Sequence, residues 1–125
     1  VLYPASAKAK RTLQEGLRAR GFDVVRLNTY DTKPVTECSE TELKEALQCK
    51  VVCIASPSAL KAWVNLVELD RAREIALACI GSTSGMAALE MGFEGERVFW
   101  DDKPGMDGFV RSVEAALDSV PALAA

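Results

Sequence analysis

The sequence of 125 residues contains no histidine. That absence rules out a Ser-His-Asp or Cys-His catalytic set and the histidine ligands of most zinc sites. Four cysteines are present, at 38, 49, 53 and 79, but no two form a C-x-x-C pair, which weighs against a structural zinc site. Cys53 and Cys79 lie inside apolar runs and are expected to be buried, reduced thiols, which suits a reducing compartment better than a secreted one. There is no G-x-x-x-x-G-K-[ST], no G-x-G-x-x-G, and no Ser/Thr/Gly run after the first apolar segment. The phosphate-cradling loops of nucleotide and flavin proteins are therefore missing. No apolar stretch is long enough to span a bilayer and no signal-peptide pattern opens the chain. The chain starts on Val1, without methionine and directly on an apolar run, so it reads as a fragment or a processed product.

What is present is ordinary for a soluble α/β protein, and the length suits one compact domain better than two. The net charge of −3 is unevenly placed. Residues 1–33 carry seven Lys/Arg against three Asp/Glu, and the remainder eight against fifteen. The basic segment is either a ligand-facing surface for an anion or a helix with a solvated basic face. The acidic overall balance argues against a nucleic-acid partner.

Short apolar runs alternate with helical-period runs. Strands are expected at Val1–Tyr3, Asp23–Tyr30, Val51–Ala55, Ile75–Ile80 and Arg97–Trp100. The unbroken apolar run at Val51–Ala55 predicts a strand buried on both faces. Helices are expected at Ala7–Arg20, stopped by Gly21; Ser39–Leu47, opened by a Ser39/Glu42 capping box; Ser56–Val67, with Ser56 as N-cap and Pro57 at N1; from Gly81–Ser84 to about Met91; and Met106–Val120. Pro34 breaks the connection after the second strand. This alternation predicts parallel pairing in a five-stranded, doubly wound, flavodoxin-like sheet.

In such a sheet ligands bind beyond the carboxyl ends of the strands. Three small polar clusters are expected there: Pro4-Ala5-Ser6-Ala7-Lys8, Ser56-Pro57-Ser58-Ala59 and Gly81-Ser82-Thr83-Ser84. Each is expected at a helix start, where free N–H groups and the helix dipole favour an anion. One such cluster is often only a cap; three on one edge point to an anion-binding rim. Tyr30 ends the second strand beside Thr29 and Thr32, either as a packing residue or as a hydrogen-bond donor. Asp101-Asp102 reads as a solvated turn.

Five phrases, in register, resemble the C-terminal half of uroporphyrinogen-III synthases, especially plant and algal forms. They are V-L-Y-P-A-S-A-K-A, G-F-D-V-V-R-L-N-T-Y-D-T, I-A-S-P-S-A-L-K-A-W, C-I-G-S-T-S-G-M-A-A-L-E-M-G-F and K-P-G-M-D-G-F-V. The resemblance runs from Val1 to about Leu117. It implies two flavodoxin-like lobes joined by a linker, with residues 1–29 in one lobe, 30–35 as a linker strand and 36–125 in the other. The alternative is a single flavodoxin-like domain over residues 1–120, and a swap at the Tyr30–Val35 linker between two copies is a third arrangement.

The activity implied is the cyclisation of hydroxymethylbilane to uroporphyrinogen III, with inversion of ring D and loss of water, on the path to haem and chlorophyll. The resemblance places the functional tyrosine on Tyr30, the family's S-P-S segment on Ser56 and Ser58, and its two-threonine turn on Thr83 and Ser84; Ser6, Lys8, Ala59 and Ser82 join the expected substrate contacts from the three polar clusters. Ser84 replaces a second threonine and keeps its hydroxyl. No cofactor and no metal are implied. The implied partners are substrate and product, with self-association or pairing with a missing N-terminal half; no membrane partner is expected. The implied location is the chloroplast stroma, with the cytoplasm as the alternative. Two other readings remain: a non-catalytic flavodoxin-like module that binds an anion or a partner protein, or an inactive half of the enzyme.

Overall fold

The computed structural model describes residues 1–123. They form two compact units, the first Val1–Lys33 and the second from Pro34 onward. No helix among the described residues is long and apolar enough to cross a membrane.

The first unit is a β-α-β element: β1 (Leu2–Ser6), α1 (Thr12–Ala19) and β2 (Val25–Tyr30). The strands are parallel, with Leu2 opposite Val25 and Pro4 opposite Leu27; an irregularity after Ala5 brings Ser6 opposite Tyr30. Helix α1 ends as Gly21 predicts. Gly21 takes φ +86°, its N–H reaches Arg18 O, and Phe22 N–H reaches Leu17 O. Those two bonds make a Schellman cap, which needs a left-handed residue and so favours glycine. Ala5 and Val24 are this unit's only buried apolar residues, while Leu2, Val25 and Leu27 are exposed.

The second unit holds α2 (Glu40–Leu47), β3 (Val51–Ile54), α3 (Pro57–Val67), α4 (Leu69–Ala72), β4 (Ala76–Cys79), α5 (Ser82–Glu90), β5 (Val98–Phe99) and α6 (Met106–Leu123). Its sheet is parallel in the order β3-β4-β5. All four residues of the central strand β4 are buried. Strand alternation sends Leu77 and Cys79 to one face, where they pack with Ile54, Leu60, Val64, Val67, Ala88 and Phe93. Ala76 and Ala78 face the other way, against Ala116 of α6. Helices thus cover both faces, as a doubly wound sheet requires. The small side chains on the α6 face allow close approach there. Trp63 and Trp100 pack half-buried against the larger cluster.

Several expectations are corrected. The five strands are present, but as a two-stranded and a three-stranded sheet, not one sheet. Tyr30 closes β2, and Asp31–Val35 has no regular structure, in keeping with Pro34, which lacks an N–H and steers its neighbour away from helix. Strand β3 lies at a sheet edge, so the predicted two-sided burial fails and Cys53 is exposed. Cys79 on central β4 is buried as expected. Glu68 takes φ +68° and breaks the chain between α3 and the short α4, which the periodicity did not predict. Helix α6 continues past Val120 through Pro121 to Leu123, and residues 124–125 lie outside the described residues.

The first helix starts five residues later than predicted, at Thr12. The cause is Arg26 of β2. Its Nη2 donates to the carbonyls of Ser6 (3.0 Å), Ala7 (3.2 Å) and Ala9 (3.1 Å), while its Nε bonds Asn28 Oδ1. Those carbonyls gather round one guanidinium instead of accepting the i+4 amides of a helix.

Candidate functional site

Strands β3 and β4 run side by side with Ile54 opposite Cys79, and Ile80 N–H donates to Ile54 O at 2.9 Å. Each strand turns directly into a helix, α3 at Pro57 and α5 at Ser82. Parallel pairing therefore puts both helix starts on the carboxyl edge of one sheet, a few residues beyond the last strand bond. The Ser56–Ala59 and Ser82–Ser84 clusters are brought together there.

The two starts differ. At α3, Ser56 Oγ accepts Ala59 N–H at 3.1 Å, Pro57 has no N–H, and Leu60 N–H reaches Ser56 O. That leaves Ser58 N–H, beside a Ser56–Ser58 hydroxyl pair 3.0 Å apart. At α5 the N-cap is Gly81, which offers no side chain, so the amides of Ser82, Thr83 and Ser84 carry no cap. Ser82 and Thr83 are exposed, but the Ser84 side chain is buried at 2% exposure. Ser84 is thus withdrawn from the surface, and Ser82 and Thr83 are the residues of this start that a ligand meets. The open start is held close to the sheet because residue 85 is glycine: a Cβ there would sit 2.2 Å from the Trp100 ring.

The third cluster is built otherwise. Pro4, Ala5 and Ser6 belong to β1 and no helix begins there, so the expected helix-start site at this position is corrected. Ser6 Oγ accepts Lys8 N–H at 3.3 Å, and Lys8 Nζ donates to Thr32 O and pairs with Asp31 at 3.6 Å. Ala7 N–H bonds Tyr30 O at 2.7 Å, so Ser6, Lys8 and the exposed Tyr30 gather at the carboxyl end of the first unit's strands. What positive charge this end has comes from side chains. The sequence reading missed Arg26; its signal was a lone charged residue inside V-V-R-L-N-T-Y, with Asn28 two positions on and thus on the same strand face.

Strong electrostatic perturbations lie elsewhere. After β5, the Asp101 carboxylate accepts two bonds from Arg111 (2.8 and 3.2 Å) and one from Lys103 N–H (2.8 Å). The Arg111 bonds come first in lowering its pKa to about 2. It is a loop clamp within the solvated turn expected. Burial pushes the Cys79 thiol up to about 11, too high for a nucleophile at neutral pH. No group of three metal-ligating side chains occurs among the described residues.

The family model for uroporphyrinogen-III synthase HemD matches residues 1–111. The chain is 48% identical over 117 residues to the chloroplastic uroporphyrinogen-III synthase of Oryza sativa subsp. japonica. That match covers 94% of this chain and 38% of the rice protein, so the chain spans well under half the length of this curated relative. No solved structure matches the chain significantly.

Proposed function

The chain belongs to the uroporphyrinogen-III synthase family, and from that premise we propose that it takes part in cyclising hydroxymethylbilane to uroporphyrinogen III. The reaction inverts the last pyrrole ring and expels water. Its substrate is a flexible chain of four pyrroles bearing carboxylate arms, and it is reactive without help. The demand on the protein is to fold and hold that chain more than to supply strong acids or bases. A protein without histidine suits such a task.

The observation that carries this reading is the pair of helix starts on one sheet edge, with α5 uncapped. The amides of Ser82 and Thr83, with Ser58 N–H and the hydroxyls of Ser56, Ser58, Ser82 and Thr83, hold carboxylates; the Ala59 amide is already taken by Ser56. Tyr30, exposed at the end of β2, donates its phenolic hydrogen bond to the departing hydroxyl, which leaves as water. Ser6 and Lys8 border the same strand end. Residues 1–29 and 36–125 act as parts of two lobes, with Tyr30–Val35 as the connection. The chloroplastic name of the rice relative supports a plastid location, the stroma, for this chain.

A chimera tests the reading. This chain replaces the matching segment of the rice synthase, and products are separated into isomers I and III. Isomer III is expected, and Tyr30→Phe in the chimera is expected to slow its formation by about 10-fold, below the usual contribution of one acid–base group. Isomer I alone from the unmutated chimera overturns the proposal. An unchanged rate removes Tyr30 from the mechanism.

A further inference from the structure

We propose that the first unit carries a carboxylate subsite of its own: the pocket at the end of β1 walled by Lys8, Arg11, Gln14, Arg26 and Asn28. This deepens the reading above and rests on it for the identity of the natural ligand, one acidic arm of the tetrapyrrole. The pocket encloses about 290 Å³, at the low end for small-molecule sites. That is room for a single side arm and not for a macrocycle.

Its charge is of one sign. Lys8, Arg11 and Arg26 line it, with no Asp or Glu among the lining residues. Asp31 offsets Lys8, which leaves Arg11 and Arg26 as net positive charge. Arg26 is immobilised by Ser6 O, Ala7 O, Ala9 O and Asn28 Oδ1, through Nη2 and Nε. Its Nη1 has no protein partner among the described residues. A guanidinium already fixed by its neighbours loses little freedom when it takes a further acceptor.

Helix α1 adds a second source of donors. Its N-cap is Arg11, whose side chain makes no cap, so the amides of Thr12, Leu13 and Gln14 have no intrahelical acceptor. Gln14 Oε1 is buried without a hydrogen-bond partner. Rotation of that amide puts the donor Nε2 in its place. Cationic side chains and Gln14, the α1 residue with an unpaired side-chain amide, therefore line one recess beside the uncapped start of α1, which the expected helix start at Ala7 did not anticipate.

The test is a nuclear magnetic resonance titration of the full chain with glutarate, against sodium chloride at matched ionic strength. Saturable shifts are expected at the Thr12, Leu13 and Gln14 amides and at Arg26 Nε, with none from chloride. Arg11→Gln is expected to weaken glutarate about tenfold, the loss of one charge-assisted contact. Lys10→Gln, which makes the same charge change outside the pocket, is expected to leave affinity unchanged. Equal shifts with chloride, equal weakening by Lys10→Gln, or shifts absent from residues 11–14 overturn the subsite. In the rice chimera Arg11→Gln is expected to raise KM and leave kcat unchanged. A chimera that makes no isomer III while glutarate still binds sinks the proposed function and not the pocket; the reverse result sinks the pocket alone.

Discussion

Strands β1 and β4 both end in small polar residues, yet the two ends are built on opposite principles. After β4 the chain enters α5 at once and presents uncapped backbone amides. After β1 it delays its helix by five residues, and a side chain from the neighbouring strand collects the carbonyls instead. The first end offers N–H groups; the second shows oxygen to its own arginine. A short run of Ser, Ala and Gly beyond a strand therefore does not by itself specify an anion site. What decides is whether the following carbonyls are claimed by helix amides or by something else. The end of β3 lies between the two, a true helix start largely satisfied by its own Ser56.

The largest expected effect comes from α5. Gly85→Ala would force a Cβ to within 2.2 Å of Trp100, so helix or ring must shift. Overpacking of this kind costs about 1–3 kcal/mol, to be read as a lower urea midpoint. A midpoint equal to that of the unmutated chain would mean α5 is not held to the sheet by this contact. Arg26→Met should cost about 1–2 kcal/mol, because part-buried carbonyls lose a charged donor. Hydrogen exchange should rise in residues 1–33 and stay unchanged at the β4 amides. Protection retained at Ala7–Lys10 would show that the delay in α1 has another cause.

Ser56→Ala breaks the contrast between α3 and α5. It frees Ala59 N–H and should cost about 1 kcal/mol, the usual worth of an N-cap, measurable as a lower melting temperature. The smallest effect is at the end of β5, where Asp101 binds Arg111. Its folded pKa, about 2, lies below its unfolded value. The stabilisation is therefore present above pH 4 or so and is lost as pH falls from about 4 towards 2. Asp101→Asn should flatten this acid limb of the stability profile; an identical limb in the variant would assign it to other carboxylates.

Much of the fold is legible in the amino-acid sequence. The Ser39/Glu42 capping box formed as read, with Glu42 Oε2 accepting Ser39 N–H at 2.9 Å and Ser39 Oγ accepting Glu42 N–H at 3.2 Å. Ser56-Pro57 opened α3, and the Gly21 stop adopted positive φ. These signals span a few neighbouring residues and depend on local geometry alone. The α5 turn was legible for the same reason. Its weighting against α3 was not, since that rests on which amides a side chain already satisfies.

What the amino-acid order determined by itself is the succession of β and α elements, their caps and stops, and membership of a tetrapyrrole-synthase family. The first two follow from period, propensity and short-range hydrogen bonding; membership follows from the likeness of whole phrases in register. Only the tertiary structure decided that five strands form two sheets, that β3 is an edge and leaves Cys53 exposed, that Ser84 turns inward, and that Arg26 unmakes the start of the first helix. Each of those outcomes depends on groups far apart in sequence competing for the same buried area or the same carbonyl oxygens. No local pattern records which competitor wins.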